Sequence, residues 1–205
     1  MTNAPETRAA EDHVSALFAD SIDAKRRAAG VLPGPVAEAA ARMRGCLAAG
    51  GRVLACGNGG SAADAQHFAA ELVNRFETDR PPLAALALTT DSSTLTSVAN
   101  DLDYSQIFAR QVEALGRPGD VLLAITTSGN SDNVEAAIAA AHAGDLVVVL
   151  LSGRDGGRAG AALLDGDVEL RVPADSTARI QEVHLLILHC LCSLLDRWVE
   201  EREMR

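Results

Sequence analysis

Aromatic residues and positive charge are both scarce in this 205-residue sequence. Phe, Trp and Tyr make up 3% of it, too few for the stacking platforms that bind single-stranded nucleic acid. Lys and Arg number 18 against 28 Asp and Glu, and the net charge of −10 argues against a nucleic-acid or anionic-membrane surface. We therefore expect no direct nucleic-acid or membrane partner, and any phosphate must be bound by local geometry.

Cysteine pairs and long apolar runs are also missing. The sequence has four cysteines and no C-x-x-C pair, which predicts reduced, buried thiols. Uninterrupted apolar stretches end after about seven residues, whereas a membrane helix needs roughly 20. The first residues, MTNAPETRAAEDH, include acidic side chains and lack the apolar core of a signal peptide. These absences predict a globular protein of the cytoplasm.

Segments with strand character alternate with helical segments along most of the chain. We predict strands at 52–56, 83–88, 120–125, 145–151 and 168–172. We predict helices at 7–29, 36–49, 61–76, 92–116, 131–143, 158–164 and 177–203. This alternation predicts the α/β class, as a three-layer αβα sandwich around a five-stranded parallel sheet. Residues 1–50 should form an N-terminal helical hairpin and residues 51–205 the sheet domain, together one structural unit.

The last predicted helix is apolar on nearly every side between Ile180 and Leu195. A helix of this kind must be buried on all its faces. Two arrangements would bury it: an oligomer built around the helix, which we favour, or a position between the sheet and the N-terminal hairpin.

Two predicted strands end in short loops rich in glycine and hydroxyl side chains. The first loop, GNGGS at 57–61, and the second, TTSGNS at 126–131, each open a helix. Glycine lets an anion approach the backbone, and a helix N-terminus presents free N–H groups to it. Neither loop has the lysine of a Walker A motif or the G-x-G-x-x-G spacing. Because both follow parallel strands, they predict one shared crevice for a phosphate ester.

Four side chains on two helices could perform chemistry: His67, Glu71, Gln181 and His189. His67 and Glu71 are one helical turn apart, a spacing that is also common for a solvated surface pair. His189 lies in an apolar run, where a histidine is usually part of the core. Together the four offer a mixed nitrogen and oxygen site that suits zinc. A carboxylate facing an imidazole could equally move a proton between adjacent carbons of a sugar.

Four stretches of this sequence resemble the sugar isomerase (SIS) domain, and more narrowly the phosphoheptose isomerases. They are GNGGSAADAQHFAAEL, LTTDSSTLTSVAND, GDVLLAITTSGNSDNV and ARIQEVHLLILHCL, within a resemblance that runs from about residue 10 to 198. The resemblance implies a flavodoxin-like homotetramer of αβα subunits with active sites at subunit interfaces. It also implies conversion of sedoheptulose 7-phosphate to D-glycero-D-manno-heptose 7-phosphate, for lipopolysaccharide or another surface glycan.

The resemblance assigns roles by position. It implies an acid/base pair, Glu71 and His189, that works through an enediol intermediate. It implies one zinc ion per subunit, held by His67, Glu71, Gln181 and His189. The implied substrate contacts are Asn58, Gly59, Gly60, Ser61, Glu71, Asn100, Asp101 and Gln181, with a phosphate cradle of Thr126, Thr127, Ser128 and Ser131. Some family members have an acidic residue where this chain has Ala178, so a proton relay through that position is not expected.

A second group of SIS proteins is also similar. The DnaA initiator-associating proteins are non-catalytic tetramers that act in replication initiation, and they share much of NRFETDRP, VEALG, GDVLLAI and HCLC with this chain. They lack the carboxylate and imidazole that this chain has at Glu71 and His189. Because a binding protein has no need of that pair, the isomerase is the favoured hypothesis. A SIS regulator that senses a phosphosugar is a third, less favoured candidate.

Overall fold

A computed structural model describes residues 4–203 of the chain. Residues 1–3 and 204–205, at the outer ends of the two predicted segments, lie outside this description. The strands are β1 Val53–Gly57, β2 Ala85–Ala87, β3 Val121–Ile125, β4 Val147–Gly153 and β5 Val168–Val172. The α-helices are α1 Ala4–Val31, α2 Pro33–Ala48, α3 Gly60–Val73, α4 Ser92–Asp101, α5 Ala109–Leu115, α6 Asp132–Ala143, α7 Gly157–Ala161 and α8 Thr177–Glu203.

The five strands form one parallel sheet in the order β2-β1-β3-β4-β5. Every residue of β1 and β3 is buried, because helices cover both faces. Successive side chains of β1 enter different cores: Val53 belongs to the core on the side of α1, α2, α3 and α8, and Leu54 belongs to the core on the side of α5 and α6. This alternation follows from the two-residue period of a strand. The predicted three-layer αβα sandwich is confirmed.

The N-terminal helices meet at a single residue, Leu32. Pro33 is the first residue of α2, a position where its missing N–H costs nothing. Ala24 and Ala28 of α1 are buried against the rest of the fold. The apolar stripe of α1 also includes Val14, Leu17, Phe18 and Ile22, which are between 42% and 67% exposed. Most of this stripe therefore has no packing partner among residues 4–203.

The single helix predicted at 92–116 is wrong, because the chain breaks there into α4, a 3-10 turn at Tyr104–Gln106, and α5. Asp91 caps the start of α4 by accepting a hydrogen bond from Thr94 N at 3.1 Å. Asp103 does the same for the turn, accepting from Ser105 N at 2.8 Å. A short carboxylate that binds the backbone in this way competes with helix continuation.

Helix α8 packs against the sheet and against α1, α2 and α3, yet one of its faces stays uncovered. Leu185, Leu186 and Leu194 are between 36% and 44% exposed. Cys190 is exposed too, so the prediction of four buried thiols is wrong for this one; Cys46, Cys56 and Cys192 are buried. Among the described residues α8 alone has the length and apolar character of a membrane span, but this is weak evidence, since the helix belongs to the core of the fold.

Candidate active site

The two predicted loops lie side by side at the carboxyl edge of the sheet. Gly57 at the end of β1 pairs with Ile125 at the end of β3, so the loops that follow are neighbours. From there α3 leads the chain to β2 on one side, and α6 leads it to β4 on the other. Such a switch in direction opens a crevice between two helix N-termini, which is the usual ligand site of an open α/β sheet.

An amide pair connects the first loop to the helix behind the second. Asn58 Nδ2 donates to Asn133 Oδ1 and Asn133 Nδ2 donates to Asn58 Oδ1, both at 2.8 Å. The Tyr104 hydroxyl donates to the same Asn58 oxygen at 3.2 Å. Asn133 is buried and Tyr104 is exposed. Sequence reasoning missed both residues, although an asparagine in the first turn after a glycine loop was the available signal.

The second loop is held by its own hydroxyl groups and by a tight glycine contact. Thr126 Oγ1 and Ser131 Oγ lie 3.1 Å apart, and Asn130 N donates to Ser128 Oγ at 3.2 Å. Thr126 is buried, whereas Thr127, Ser128 and Ser131 are half-buried and line the loop. Gly129 has a φ of +69° and packs directly on the backbone of Gly156. Hydroxyl donors are thus arranged next to the N-terminus of α6.

Two carboxylates in the first turn of α6 would repel an anion if they were unpaired. Arg158 binds both of them, with its Nη2 2.5 Å from Asp132 Oδ1 and 2.9 Å from Glu135 Oε1. This pairing raises the pKa of Arg158, chiefly through the hydrogen bond to Asp132. One cation thus offsets part of the charge of the two carboxylates and lowers the repulsion that a phosphate would meet at this loop.

The remaining predicted contacts lie around the first loop. Ser61 is buried in the first turn of α3. Gly60 lies against Gln181 of α8, since a Cβ on that glycine would approach Gln181 Nε2 to 2.4 Å. Asn100 Nδ2 donates to Asp101 Oδ1 at 2.8 Å, and both residues are exposed at the end of α4, shortly before Tyr104.

Helices α3 and α8 bring three of the four candidate side chains together. His67 Nε2 lies 3.0 Å from His189 Nε2 and 3.5 Å from Glu71 Oε1. The Glu71 side chain is 23% exposed and that of His67 41%, so the group is open to a ligand. Phe76, which sequence reasoning missed, stacks on His189 with ring centroids 5.4 Å apart. Gln181 lies about two turns earlier along α8, where it faces Gly60 of α3.

The other histidine of α8 serves the core. His184 is fully buried and its Nε2 lies 2.9 Å from the Ser152 carbonyl oxygen, to which it donates. Burial lowers the pKa of His184 to about 4, so the ring is neutral at physiological pH. On α3, burial raises the pKa of the Asp64 carboxyl, and the nearby His67 opposes that shift. Of the two α8 histidines, His189 is the one available for chemistry.

Comparison with known proteins identifies the family. The SIS domain model matches residues 18–153. A phosphoheptose isomerase of Aromatoleum aromaticum is 64% identical over 183 residues, covering 89% of this chain and 92% of that protein. The chain belongs to the phosphoheptose isomerases of the SIS family. Two solved phosphoheptose isomerases have the same fold. The structure from Neisseria gonorrhoeae has a TM-score of 0.88 and 52% sequence identity, and the match covers 91% of this chain and 98% of that one. The structure from Francisella tularensis has a TM-score of 0.90 and 49% sequence identity, and the match covers 92% of this chain and 98% of that one.

The donor set can be tested against the zinc ion that the SIS resemblance implies. Across residues 4–203, no group of three or more His, Cys, Asp or Glu side chains is assembled as a metal site. The two imidazole nitrogens at 3.0 Å share a hydrogen bond instead. In tetrahedral zinc sites with Zn–N bonds of about 2.0–2.1 Å, ligand nitrogens lie roughly 3.4 Å apart. The separation of the His67 and His189 nitrogens is therefore within a few tenths of an ångström of the value that two zinc ligands need, and Glu71 beside His67 offers an oxygen ligand.

Proposed function

We propose that this protein converts sedoheptulose 7-phosphate to D-glycero-D-manno-heptose 7-phosphate by acid/base chemistry between Glu71 and His189. Its family makes it a phosphosugar isomerase that acts on heptose phosphate. The observation that supports the proposal is the contact between α3 and α8, where His67 Nε2 lies 3.0 Å from His189 Nε2 and 3.5 Å from Glu71 Oε1. Groups of these types, held in contact, can remove and return a proton.

The reaction moves hydrogen between adjacent carbons without net gain or loss. In our proposal the Glu71 carboxylate takes a proton from C1 of the ketose, and that electron pair forms the C1–C2 double bond of an enediol. His189 exchanges protons with the two sugar oxygens, protonating O2 and removing the proton from O1. The proton held by Glu71 returns to C2, which leaves the aldehyde at C1. His67, in hydrogen-bond contact with His189, orients that ring.

The substrate would be held at both ends. Thr126, Thr127, Ser128 and Ser131, with the N-terminus of α6, supply neutral donors for the phosphate. Residues of the first loop (Asn58, Gly59, Gly60 and Ser61), together with Asn100, Asp101 and Gln181, would contact the sugar hydroxyls. The proposed zinc ligands are His67, Glu71, Gln181 and His189; a bound zinc ion supplies a Lewis acid that polarises a carbonyl oxygen.

We also propose a homotetramer, because two apolar surfaces lack packing partners in the described part of the subunit. One is the α1 stripe around Phe18, which is 67% exposed, and the other is the α8 face around Leu186, which is 44% exposed. Substitution of Leu186 with Glu should lower the mass measured by light scattering, whereas the same change at Leu164, 59% exposed outside these surfaces, should leave it unchanged. A wild-type mass of one subunit would contradict this assembly.

For its cellular role we propose a cytoplasmic enzyme that feeds the heptose of lipopolysaccharide or another surface glycan. The support is the family and the acidic net charge of −10, which disfavours nucleic-acid and anionic-membrane partners.

The decisive experiment measures turnover of sedoheptulose 7-phosphate by the purified wild type, Glu71→Gln and His189→Ala, with metal content determined on each sample. Loss of an acid/base group should lower kcat by about 10²–10⁴-fold. His142→Ala is the matched control, because His142 also contacts a carboxylate, Asp167 Oδ2 at 2.8 Å, but from the far end of α6. Its kcat should match that of the wild type.

Two results would contradict the proposal. Full turnover in both site variants would refute the roles of Glu71 and His189 and leave the activity in place. No turnover of any phosphosugar by the wild type, with or without added zinc, would favour the non-catalytic SIS alternative, which binding to DnaA would then test.

A further inference from the structure

A buried ion pair links the two helices that carry the proposed acid/base residues. Arg80 follows α3, Asp196 lies on α8, and their side chains are 1% and 3% exposed. Arg80 Nε donates to Asp196 Oδ1 at 2.5 Å. Burying two charges costs desolvation free energy, so we examined which parts of the site this ion pair holds in place.

Arg80 binds the backbone of Glu71 itself. Its Nη2 donates to the Glu71 carbonyl oxygen at 2.8 Å, and its Nη1 donates to the Leu72 carbonyl oxygen at 3.0 Å. These carbonyls belong to the last turn of α3, where no further helical N–H is available to them. A guanidinium there also complements the negative end of the helix dipole. Arg80 thus fixes the turn from which the Glu71 side chain projects.

Asp196 acts on the other partner, His189. It lies seven residues after His189, which is two helical turns and therefore the same face of α8. Its second oxygen, Oδ2, accepts from Glu77 N at 3.0 Å and from Thr78 N at 3.2 Å. These bonds fix the segment that carries Phe76, whose ring stacks on His189. The Asp196 carboxylate therefore fixes the segment whose Phe76 ring stacks on His189 and, through Arg80, the backbone of Glu71.

We infer that Arg80 and Asp196 are positioning residues that set the geometry between Glu71 and His189, an inference that rests on the proposed function. Neither side chain reaches the substrate crevice. Instead, Arg80 and Asp196 set the distance between α3 and α8 where Glu71 and His189 lie. Because a displacement of about 1 Å can cost about 100-fold in rate, small shifts at this pair should be visible in turnover.

The test compares Asp196→Asn and Arg80→Lys with a matched control, Asp120→Asn. Asp120 is 2% exposed, accepts from Arg52 N at 2.9 Å and Arg117 N at 3.1 Å, and faces Arg52 Nε at 3.6 Å. It lies immediately before β3, at the opposite edge of the sheet from the crevice. The control thus loses a buried carboxylate of the same kind without touching α3 or α8.

In each variant we would measure kcat, KM, the melting temperature and the NMR resonances of the His189 ring, assigned by comparison with His189→Ala. Asp196→Asn should lower kcat by about 10- to 100-fold, with KM within about threefold of wild type. Arg80→Lys keeps the positive charge but loses the planar guanidinium, so its kcat should lie between those of the wild type and Asp196→Asn. Both should move the His189 resonances, whereas Asp120→Asn should lower only the melting temperature.

The inference is overturned if Asp196→Asn keeps wild-type kcat in its folded fraction, or if Asp120→Asn loses kcat equally. Failure of the proposed function is distinguishable, because it appears as a wild type without turnover or an active Glu71→Gln. In that case the His189 resonances decide: unmoved resonances in both pair variants refute the positioning role.

Discussion

Replacing Gly129 with Ala tests how closely the second loop is packed. Gly129 has a φ of +69°, and an added Cβ would lie 2.0 Å from the Gly156 oxygen and 2.4 Å from its carbonyl carbon. Gly119 offers a matched control, with a φ of +89° and no atom within 4 Å of its Cβ position. Both changes strain the backbone, but only the first also forces two backbone segments apart.

The two variants should differ in stability by the steric cost. A left-handed conformation costs a residue with a Cβ about 1–2 kcal/mol, which is the whole penalty expected for Gly119→Ala. Overpacking adds about 1–3 kcal/mol at Gly129, where the obstructing atoms are backbone and cannot rotate away. For a chain of this size, with about 2–4 °C per kcal/mol, Gly119→Ala should lower the melting temperature by about 2–8 °C and Gly129→Ala by about 4–20 °C.

Thermal denaturation at equal protein concentration, followed by kinetics on the folded enzyme, measures both consequences. Gly129→Ala shifts the hydroxyl groups of the proposed phosphate cradle, so KM for the phosphosugar should rise about tenfold or more, the cost of one hydrogen bond to a charged group. Gly119→Ala should leave KM unchanged. Equal melting temperatures for the two variants, or an unchanged KM in Gly129→Ala, would refute the packing described for this loop.

Two further predictions concern buried titratable groups. Burial lowers the pKa of His184 from 6.5 to about 4. Between these two pH values the histidine is protonated in the unfolded chain and neutral in the folded chain, so the folded state loses stability as the pH falls. The wild type should therefore lose about 3 kcal/mol more stability between pH 6.5 and 4 than His184→Gln, measured by urea unfolding, and parallel pH profiles would contradict this. Burial also raises the pKa of Cys56 and Cys192 to about 12 and that of Cys46 to about 11. At most one thiol, Cys190, should therefore react with a disulfide reagent in the folded protein, and all four should react after unfolding. Rapid reaction of two or more thiols in the folded protein would contradict this burial.

Patterns of local origin were predicted well from the sequence. The alternation of strands and helices and the two glycine loops depend on residues close together in the chain, so periodicity and turn chemistry reveal them. The break within 92–116 has no proline or glycine signal at that point, because a short carboxylate, Asp103, starts a new turn after α4 has ended at Asp101. The exposure of Cys190 was missed because an apolar run does not say which of its members faces the core.

The sequence by itself determined the layers of the fold, the loops of the crevice and the four candidate side chains on two helices. Only the tertiary structure decided that His67, Glu71 and His189 meet while Gln181 contacts Gly60, because these distances depend on how α3 and α8 pack across more than 100 residues of chain. The same is true of the Asn58–Asn133 amide pair and of Arg80 with Asp196. Long-range pairing of this kind leaves no periodic signal in a single sequence, since each partner taken alone resembles an ordinary surface or loop residue.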